Sequence, residues 1–587
     1  MRRVPTADRL VLAAVVAVVL GNPRVAATAG VPTGHIESPI IFAQLPVGLD
    51  MEKQPGRAGG MLRADYGDGG RILRLDPNGQ LRVLTEGFIS ACELDISFDA
   101  RRILFAAKRK PQDPWNIWEI SADGSGARQI TKNLGNCRSP AYQATLYTIV
   151  STEPWYQIMF VSDAAGVMNE YGSGAATSLY SCKLDGSSVR RLTMNLSDDL
   201  DPFLMDDGRV LLASWQRADL RRGYKGRIAL FGVNTDGADY ALFCGDQGQR
   251  IKHMPCVTTD GLVVFVEADQ VGWDGAGQLG SVTLRRNFYS HRPVTRDRTR
   301  LYHSPSPLGD GTVLVSMRPA GKPVPQTGIP QTGIPQTGIP QGSYGSGTHG
   351  IYRLDPRTGR RELIFDDPEF HDMHAKALVP RLEPDGRSSV VNEKYPTGKL
   401  YCLNAYLADP VIIPHMRPGM IRGLRVIEGV PLPASNQSGS TPIGGAPRGL
   451  KPAARHASAK PRGLKPAALF DDGMAPIVQK RLLGQVPVEE DGSFHIEVPA
   501  DVPVQLQTLD ANGMALRSCG WIWVKHHEPR GCIGCHEDPE LTPENRFVQA
   551  LRHPPMKLTL PAEKRRTVDF RRDLMPIITQ KCTPCHT

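Results

Sequence analysis

A chain of 587 residues is too long for one hydrophobic core, and 40% hydrophobic residues is the composition of folded domains rather than of a disordered polymer. Its formal charge of +9 sits in two places: residues 1–29 carry Arg2, Arg3, Arg9 and Arg24 against Asp8, and residues 435–469 carry six basic residues and no acid. The remainder is neutral, which argues against a nucleic-acid partner.

The first 29 residues read as a secretory signal. Arg2, Arg3 and Arg9 form its basic region, residues 10–20 an apolar run, and Ala27-Thr28-Ala29 a small-x-small cleavage site. Eleven apolar residues are too few to cross a bilayer, and no later stretch approaches twenty. The expectation is a periplasmic or otherwise exported protein with no membrane span after cleavage. Export permits disulfides, but the cysteines at 92, 137, 182, 244, 256, 402 and 519 are scattered and read as buried small residues.

Between residues 60 and 381 one unit recurs: a β-rich run, a turn with Gly, and a second short β run. The turns Asn78-Gly79, Asp123-Gly124 and Asp185-Gly186 close the clearest copies, and weaker ones pass through Asp236-Gly237 and Thr358-Gly359. A second kind of strand follows the pairs Asp207-Gly208, Asp260-Gly261 and Asp310-Gly311. Spacings of about 45 to 70 residues, each with two hairpins, match β-propeller blades with loop insertions. The reading is mainly β: a six-bladed propeller, one blade degenerate near residues 279–284, with seven blades as the alternative. The Asp-Gly turns resemble TolB-like propeller repeats, and their own role reads as structural.

The loop residues Trp155-Tyr156, Asn169-Glu170-Tyr171 and Trp273-Asp274 read as packing or surface. Residues 326–350 form a low-complexity insertion that holds three copies of Gln-Thr-Gly-Ile-Pro. Phe370-His371-Asp372-Met373-His374 follows the last blade. Its histidines are candidate donors to a metal or a haem iron, and read first as structural polar residues.

Residues 385–530 read as a small β-sandwich-like domain, with strands at 390–396, 400–407, 420–428, 478–485, 493–498 and 504–510. Residues 435–469 interrupt it with Pro-Arg-Gly-Leu-Lys-Pro-Ala-Ala twice, a disordered basic insertion. Trp521 and Trp523 share one face of a strand, and either cover a haem or complete a core.

Residues 531–587 carry the chemistry. Cys532-Ile533-Gly534-Cys535-His536 and Cys582-Thr583-Pro584-Cys585-His586 are both Cys-x-x-Cys-His, the attachment sequence of c-type haem. Two thiols reach the porphyrin vinyl groups and the adjacent histidine binds iron. The expected cofactor is haem c, one or two per chain, on Cys532, Cys535, Cys582 and Cys585, with His536 and His586 on the iron. Zinc or a plain disulfide at the first motif is the alternative. Phe570, Leu574 and Ile577/Ile578 predict a short helix before Cys582, which Pro576 weakens. Only Thr587 follows the second motif. Either the haem-wrapping part is truncated, or His586 binds a haem covered by upstream residues or a partner.

Val488-Glu489-Glu490-Asp491-Gly492, Ser493-Phe494, Val498-Pro499-Ala500, residues 507–513, 517–523 and 530–538, and Thr542-Pro543-Glu544-Asn545 together resemble the middle domain of the hydrazine synthase alpha subunit family. That resemblance implies a haem c beside a zinc ion, where ammonia is joined to an oxidised nitrogen intermediate. It implies Cys532 as a haem thioether, Cys535 and His536 as zinc ligands with Cys256 or Cys244 as the third, and a tyrosine on iron four residues past the motif histidine. This sequence departs there: the position is Glu540, and no tyrosine follows the motif. The leading reading is therefore an exported c-type cytochrome-like protein, its propeller scaffolding haem for electron transfer or redox catalysis with a redox partner protein. If it is an enzyme, it is a haem-dependent oxidoreductase. The alternatives are a propeller binding scaffold with structural zinc at Cys532, Cys535 and His536, and a nitrogen-redox enzyme.

Overall fold

The structure is a computed structural model that describes residues 36–49, 52, 56–149, 151–216, 226–245, 247–297, 299–321, 347–408, 416–434, 478–535, 546–568 and 574–583. The signal, the Gln-Thr-Gly-Ile-Pro repeats and the insertion at 435–469 lie outside the described residues.

Among the described residues the propeller strands pair into three four-stranded sheets, one five-stranded sheet and one eight-stranded sheet, the last joining two successive strand sets through a parallel contact between Arg227–Val233 and Ile251–Val257, so six strand sets recur. Their inner strands are Ser90–Ile96, Cys137–Tyr147, Asp199–Leu204, Ile251–Val257, Arg300–Pro307 and Phe370–Ala377. Each packs against the next, and the last returns to the first, so the units form a closed ring. The closing unit joins both ends of the region: Ile40–Pro46 pairs antiparallel with Phe370–Ala377. The ring thus starts at Ile40, ahead of the expected boundary at residue 60. Phe370–Ala377 is its innermost closing strand rather than a segment beyond the last blade. The unit expected to be degenerate is complete, with strands Ile251–Val257, Leu262–Ala268, Gln278–Thr283 and Arg292–Pro293.

Neighbouring units cover both faces of most sheets, which is why the strands show little period-2 alternation. Ser90–Ile96 and Val210–Gln216 are buried at every position. The Asp-Gly turns are structural. Asp123, Asp185 and Asp310 each accept a hydrogen bond from the backbone two residues on, at 2.9, 2.9 and 3.0 Å. A Cβ at Gly186 or Gly237 would fall 2.3 or 2.4 Å from the carbonyl of Ile130 or Leu192, so each turn presses on the unit before it.

All six inner strands break register at the same depth, five against the next strand of their own unit and the sixth against Ile40–Pro46. At each break one non-glycine residue takes positive φ: Glu93 (46°), Ser139 (48°), Asp201 (50°), Met254 (50°), Ser304 (43°) and His374 (58°). The left-handed region costs an L-residue about 1–2 kcal/mol, so six bulges represent a repeated expense that turns side chains toward the ring's axis.

The second domain is a two-sheet sandwich. One sheet runs Pro529–Cys532, Thr397–Cys402, Phe494–Pro499, Met556–Lys557, and the other Ala515–Ser518, Val504–Leu509, Gly423–Val430, Gln479–Pro487, Thr567–Val568. Leu400, Val426, Leu483, Phe494, Ile496 and Val524 fill the space between them. The region expected to be a short helical haem segment is therefore largely absorbed into the sandwich, where its strands satisfy open sheet edges. Residues 390–396 form no strand. Asn392 closes a turn there, accepting from Lys394 and Tyr395 at 3.2 and 3.1 Å. The helix Met575–Lys581 does form, with Pro576 in its first turn, where the missing N–H has no intrahelical acceptor to lose.

Candidate functional site

The first motif emerges from the strand Pro529–Cys532, which pairs in parallel with Thr397–Cys402 and sets Cys532 opposite Cys402. Three backbone bonds pin the loop: Leu403 N–H to the Cys532 carbonyl (3.0 Å), Asn404 N–H to Ile533 (3.1 Å) and Cys535 N–H to Leu407 (2.9 Å). A Cβ at Gly531 would meet the Tyr401 ring at 2.4 Å, and one at Gly534 the Leu407 carbonyl at 2.6 Å. Only glycine lets the loop lie this close to the sandwich.

The cysteines divide by exposure. Cys92, Cys137, Cys182, Cys244, Cys256 and Cys402 are buried, whereas Cys532 and Cys535 are half-buried and Cys582 is exposed. Cys519 lies near the motif, its sulfur accepting from Leu506 N–H at 3.1 Å. Burial first, then Cys535 and Cys532, pushes its thiol up to about 12. Two half-buried cysteines three residues apart on a pinned loop suit covalent attachment to a porphyrin. His536, Glu540, Cys585 and His586 lie outside the described residues.

The structure does not bring Cys256 or Cys244 to Cys535. Cys256 packs with Val264, Val266 and Leu279 in the propeller, and Cys244 packs with Leu230 and Phe243. Among the described residues no three His, Cys, Asp or Glu side chains converge as a metal centre.

Trp521 and Trp523 complete a core. Trp523 packs at a tilt against Tyr240 with ring centres 4.0 Å apart, and the Trp521 indole donates to Glu170 at 2.9 Å. Arg530 donates to the carbonyls of Trp523 (2.8 Å) and Tyr240. Asp239 N–H donates to Glu528 at 2.8 Å. The strand that carries the motif is therefore fastened directly to the propeller. Asn169 and Glu170 belong to this interface region, Asn169 bonding to Asp198 at 3.0 Å. Trp155 sits under Lys183 and Arg190, and Tyr156 is exposed.

The ring encloses a second polar site that sequence reading missed. A cavity of about 110 Å³ is lined by Arg63, Glu93, Ser139, Asp201, Met254, Ser304 and His374, so all six bulged residues reach it. Arg63 enters from the loop between Ile40–Pro46 and Arg71–Leu75 of the closing unit and bridges Asp201 (2.7 Å) and Glu93 (2.9 Å), with Arg138 on Glu93 at 2.8 Å. Burial alone would raise the Glu93 carboxyl, but Arg138 and Arg63 hold it at about 2. Tyr66 O–H lies 3.1 Å from His374 Nε2. The signal was there: Ser139-Pro140, Asp201-Pro202, Met254-Pro255 and Ser304-Pro305 place a proline inside four strands, a mark of bulges.

Residues 419–537 match the hydrazine synthase alpha subunit middle domain, the stretch holding most of the sandwich and the first motif. Hydrazine synthase subunit alpha of Kuenenia stuttgartiensis is 25% identical over 652 residues, covering 88% of this chain and 75% of that protein. The solved Kuenenia stuttgartiensis hydrazine synthase superposes with a TM-score of 0.70 at 22% identity, over 94% of this chain and 81% of that one, and so shares its fold. TolB from Acinetobacter baumannii matches at a TM-score of 0.33 and 11% identity, over 59% of this chain and 67% of its own.

Proposed function

We propose that this chain is an exported c-type cytochrome-like protein, built like hydrazine synthase alpha, that works with partner proteins in electron transfer or redox catalysis. Cys532 and Cys535 would bond the haem, with His536 as the ligand to its iron. Bound there, haem supplies one-electron chemistry. The chain's own residues hold that group still: Gly531 and Gly534 seat the loop, and Arg530 and Trp523 fix its strand to the propeller. The observation that carries the reading is the pair of half-buried cysteines on a pinned loop, inside the stretch that matches the middle domain.

The reading is one haem or two; Cys582, Cys585 and His586 are the residues that would hold the second. The helix before Cys582 leaves Leu574, Met575 and Ile577 exposed, an apolar surface that a haem or partner subunit covers. The relative is named as a subunit, which supports partners here too. Glu540 stands where the resemblance calls for tyrosine, so hydrazine formation is not carried over.

The test is expression with a c-type haem maturation system, followed by haem staining on a denaturing gel and a visible spectrum. Covalent haem lost in Cys532→Ala/Cys535→Ala/Cys582→Ala/Cys585→Ala supports the proposal. A colourless protein with stoichiometric zinc overturns it in favour of a structural zinc scaffold.

A further inference from the structure

Among the described residues the sandwich carries four cysteines, Cys402, Cys519, Cys532 and Cys535, and only the last two belong to the motif. Cys402 ends the strand Thr397–Cys402, and Cys532 ends Pro529–Cys532. The two strands run parallel and in register, which makes Cys402 and Cys532 partners across the ladder.

Such partners point to the same side of a sheet, and the neighbouring residues show it. A Cβ at Gly531 would meet the ring of its own partner, Tyr401, on the face turned from the core. One step on, Cys402 belongs to the core cluster of Leu400 and Ile496, and Cys532 packs against that same cluster. Both thiols therefore lie on the inner face of one sheet, side by side.

The spacing suits a covalent bond. Neighbouring strands lie about 4.7–4.9 Å apart, inside the Cα separation of about 4.4–6.8 Å that a disulfide spans. The Cβ atoms of a disulfide stand about 3.5–4.5 Å apart, so the pair has a few tenths of an ångström to close. Leu403 N–H on the Cys532 carbonyl, at 3.0 Å, already holds the two strand ends together. A bond closed with that shift is readily reduced, which suits a reversible role better than a structural one.

Exposure sets the order of events. Cys532 is half-buried and meets an oxidant first, whereas Cys402 is only 2% exposed and can be reached through Cys532. Cys519 is the rival partner. Its sulfur accepts from Leu506 N–H and its S–H donates to the Gly520 carbonyl, both at 3.1 Å, which ties it to its own backbone.

We propose that Cys402 is a redox partner of the motif: in the haem-free chain it forms a reversible disulfide with Cys532 and withholds that thiol from haem. The withholding rests on the function proposed above, and the bond itself does not. The oxidant is a small-molecule or protein disulfide. The Cys532 thiolate attacks it, releasing one thiolate and leaving a mixed disulfide. The Cys402 thiolate then attacks the Cys532 sulfur, forming the bond and releasing the second thiolate. The two electrons given up by the cysteines stay on the released sulfurs, which take up the two protons.

The test uses the full chain expressed without haem maturation, treated with oxidised glutathione and then with dithiothreitol, its disulfides mapped by peptide mass spectrometry. We expect a dominant Cys402–Cys532 link that dithiothreitol removes. A Cys532–Cys535 link or a Cys519 link in its place, or reduced thiols throughout, overturns the proposal. The mapping needs no substitution, so it decides the bond even where a variant fails to fold. In Cys582→Ala/Cys585→Ala protein matured without added reductant, Cys402→Ala should raise haem per chain about twofold or more, and reductant should erase the difference. An unchanged yield overturns the withholding role. Haem missing from reduced protein with or without Cys402 would instead overturn the function proposed above, with the mapped link still present.

Discussion

The propeller's interior and the motif loop solve opposite problems. The interior collects largely buried charged groups around a small cavity and pairs them with one another. Arg63, Glu93, Asp201 and Arg138 form a closed knot, set by six bulges that recur once per unit. The motif loop leaves its two cysteines half-buried and invests in backbone bonds to the sandwich instead. Rigidity therefore comes from charge pairing in one region and from main-chain hydrogen bonds in the other. Failure should look different in each.

The largest effect is expected in the interior. Arg63→Met leaves buried Asp201 without its arginine and Glu93 with Arg138 alone, and should cost about 3–5 kcal/mol, read as a lowered denaturant midpoint. Haem attachment in the surviving folded fraction should be unchanged, because the motif does not depend on that knot. A loss of attachment equal to that of the cysteine variants would merge the two regions and break the contrast.

The seam between the domains is next. Trp521→Phe leaves Glu170 with the Ser197 hydroxyl at 3.0 Å and removes the indole donor, for an expected cost of about 1–3 kcal/mol. Calorimetry should show the propeller and sandwich transitions drawing apart. A single sharp transition at the wild-type temperature would mean that the seam carries no coupling.

Acid sharpens the same contrast. Glu93 is held at about 2, below its ordinary value near 4.5, by Arg138 and Arg63 against the opposing effect of burial. A depressed carboxylate contributes stability that is present above about 4.5 and is lost as pH falls toward about 2. Melting temperature should fall across that window, and in Arg63→Met, where Arg138 alone holds the Glu93 carboxyl down, the fall should be smaller.

Thiol labelling gives the smallest effect. Burial pushes Cys137, Cys182 and Cys256 up to about 12, so in haem-free folded protein alkylation should reach Cys532, Cys535 and Cys582 first. Mass spectrometry of early-labelled peptides checks this, and early labelling of Cys137 would contradict the packing.

What the sequence disclosed follows from where each signal resides. The motif is contiguous and covalent chemistry fixes its spacing, so Cys532, Cys535 and His536 were legible at once. The repeat was legible through Asp123-Gly124 and its relatives, since positive φ at glycine is a local demand. The interior was not. Arg63, Glu93, Asp201 and Ser304 come from four distant stretches, and only ring closure by Ile40–Pro46 and Phe370–Ala377 gathers them. His371 was noticed beside His374, yet its 3.0 Å neighbour is His349, which carries no local signal. Trp521 and Trp523 stayed ambiguous because their partners, Glu170 and Tyr240, are about 280 to 350 residues away.

The central claim is covalent haem at Cys532 and Cys535. The direct measurement is intact-mass spectrometry of Cys582→Ala/Cys585→Ala protein matured with a c-type haem system, with the visible spectrum of the same sample. The account predicts one haem added per chain and a haem Soret band, both absent once Cys532 and Cys535 are also replaced by Ala. An unmodified mass with no Soret band would contradict it.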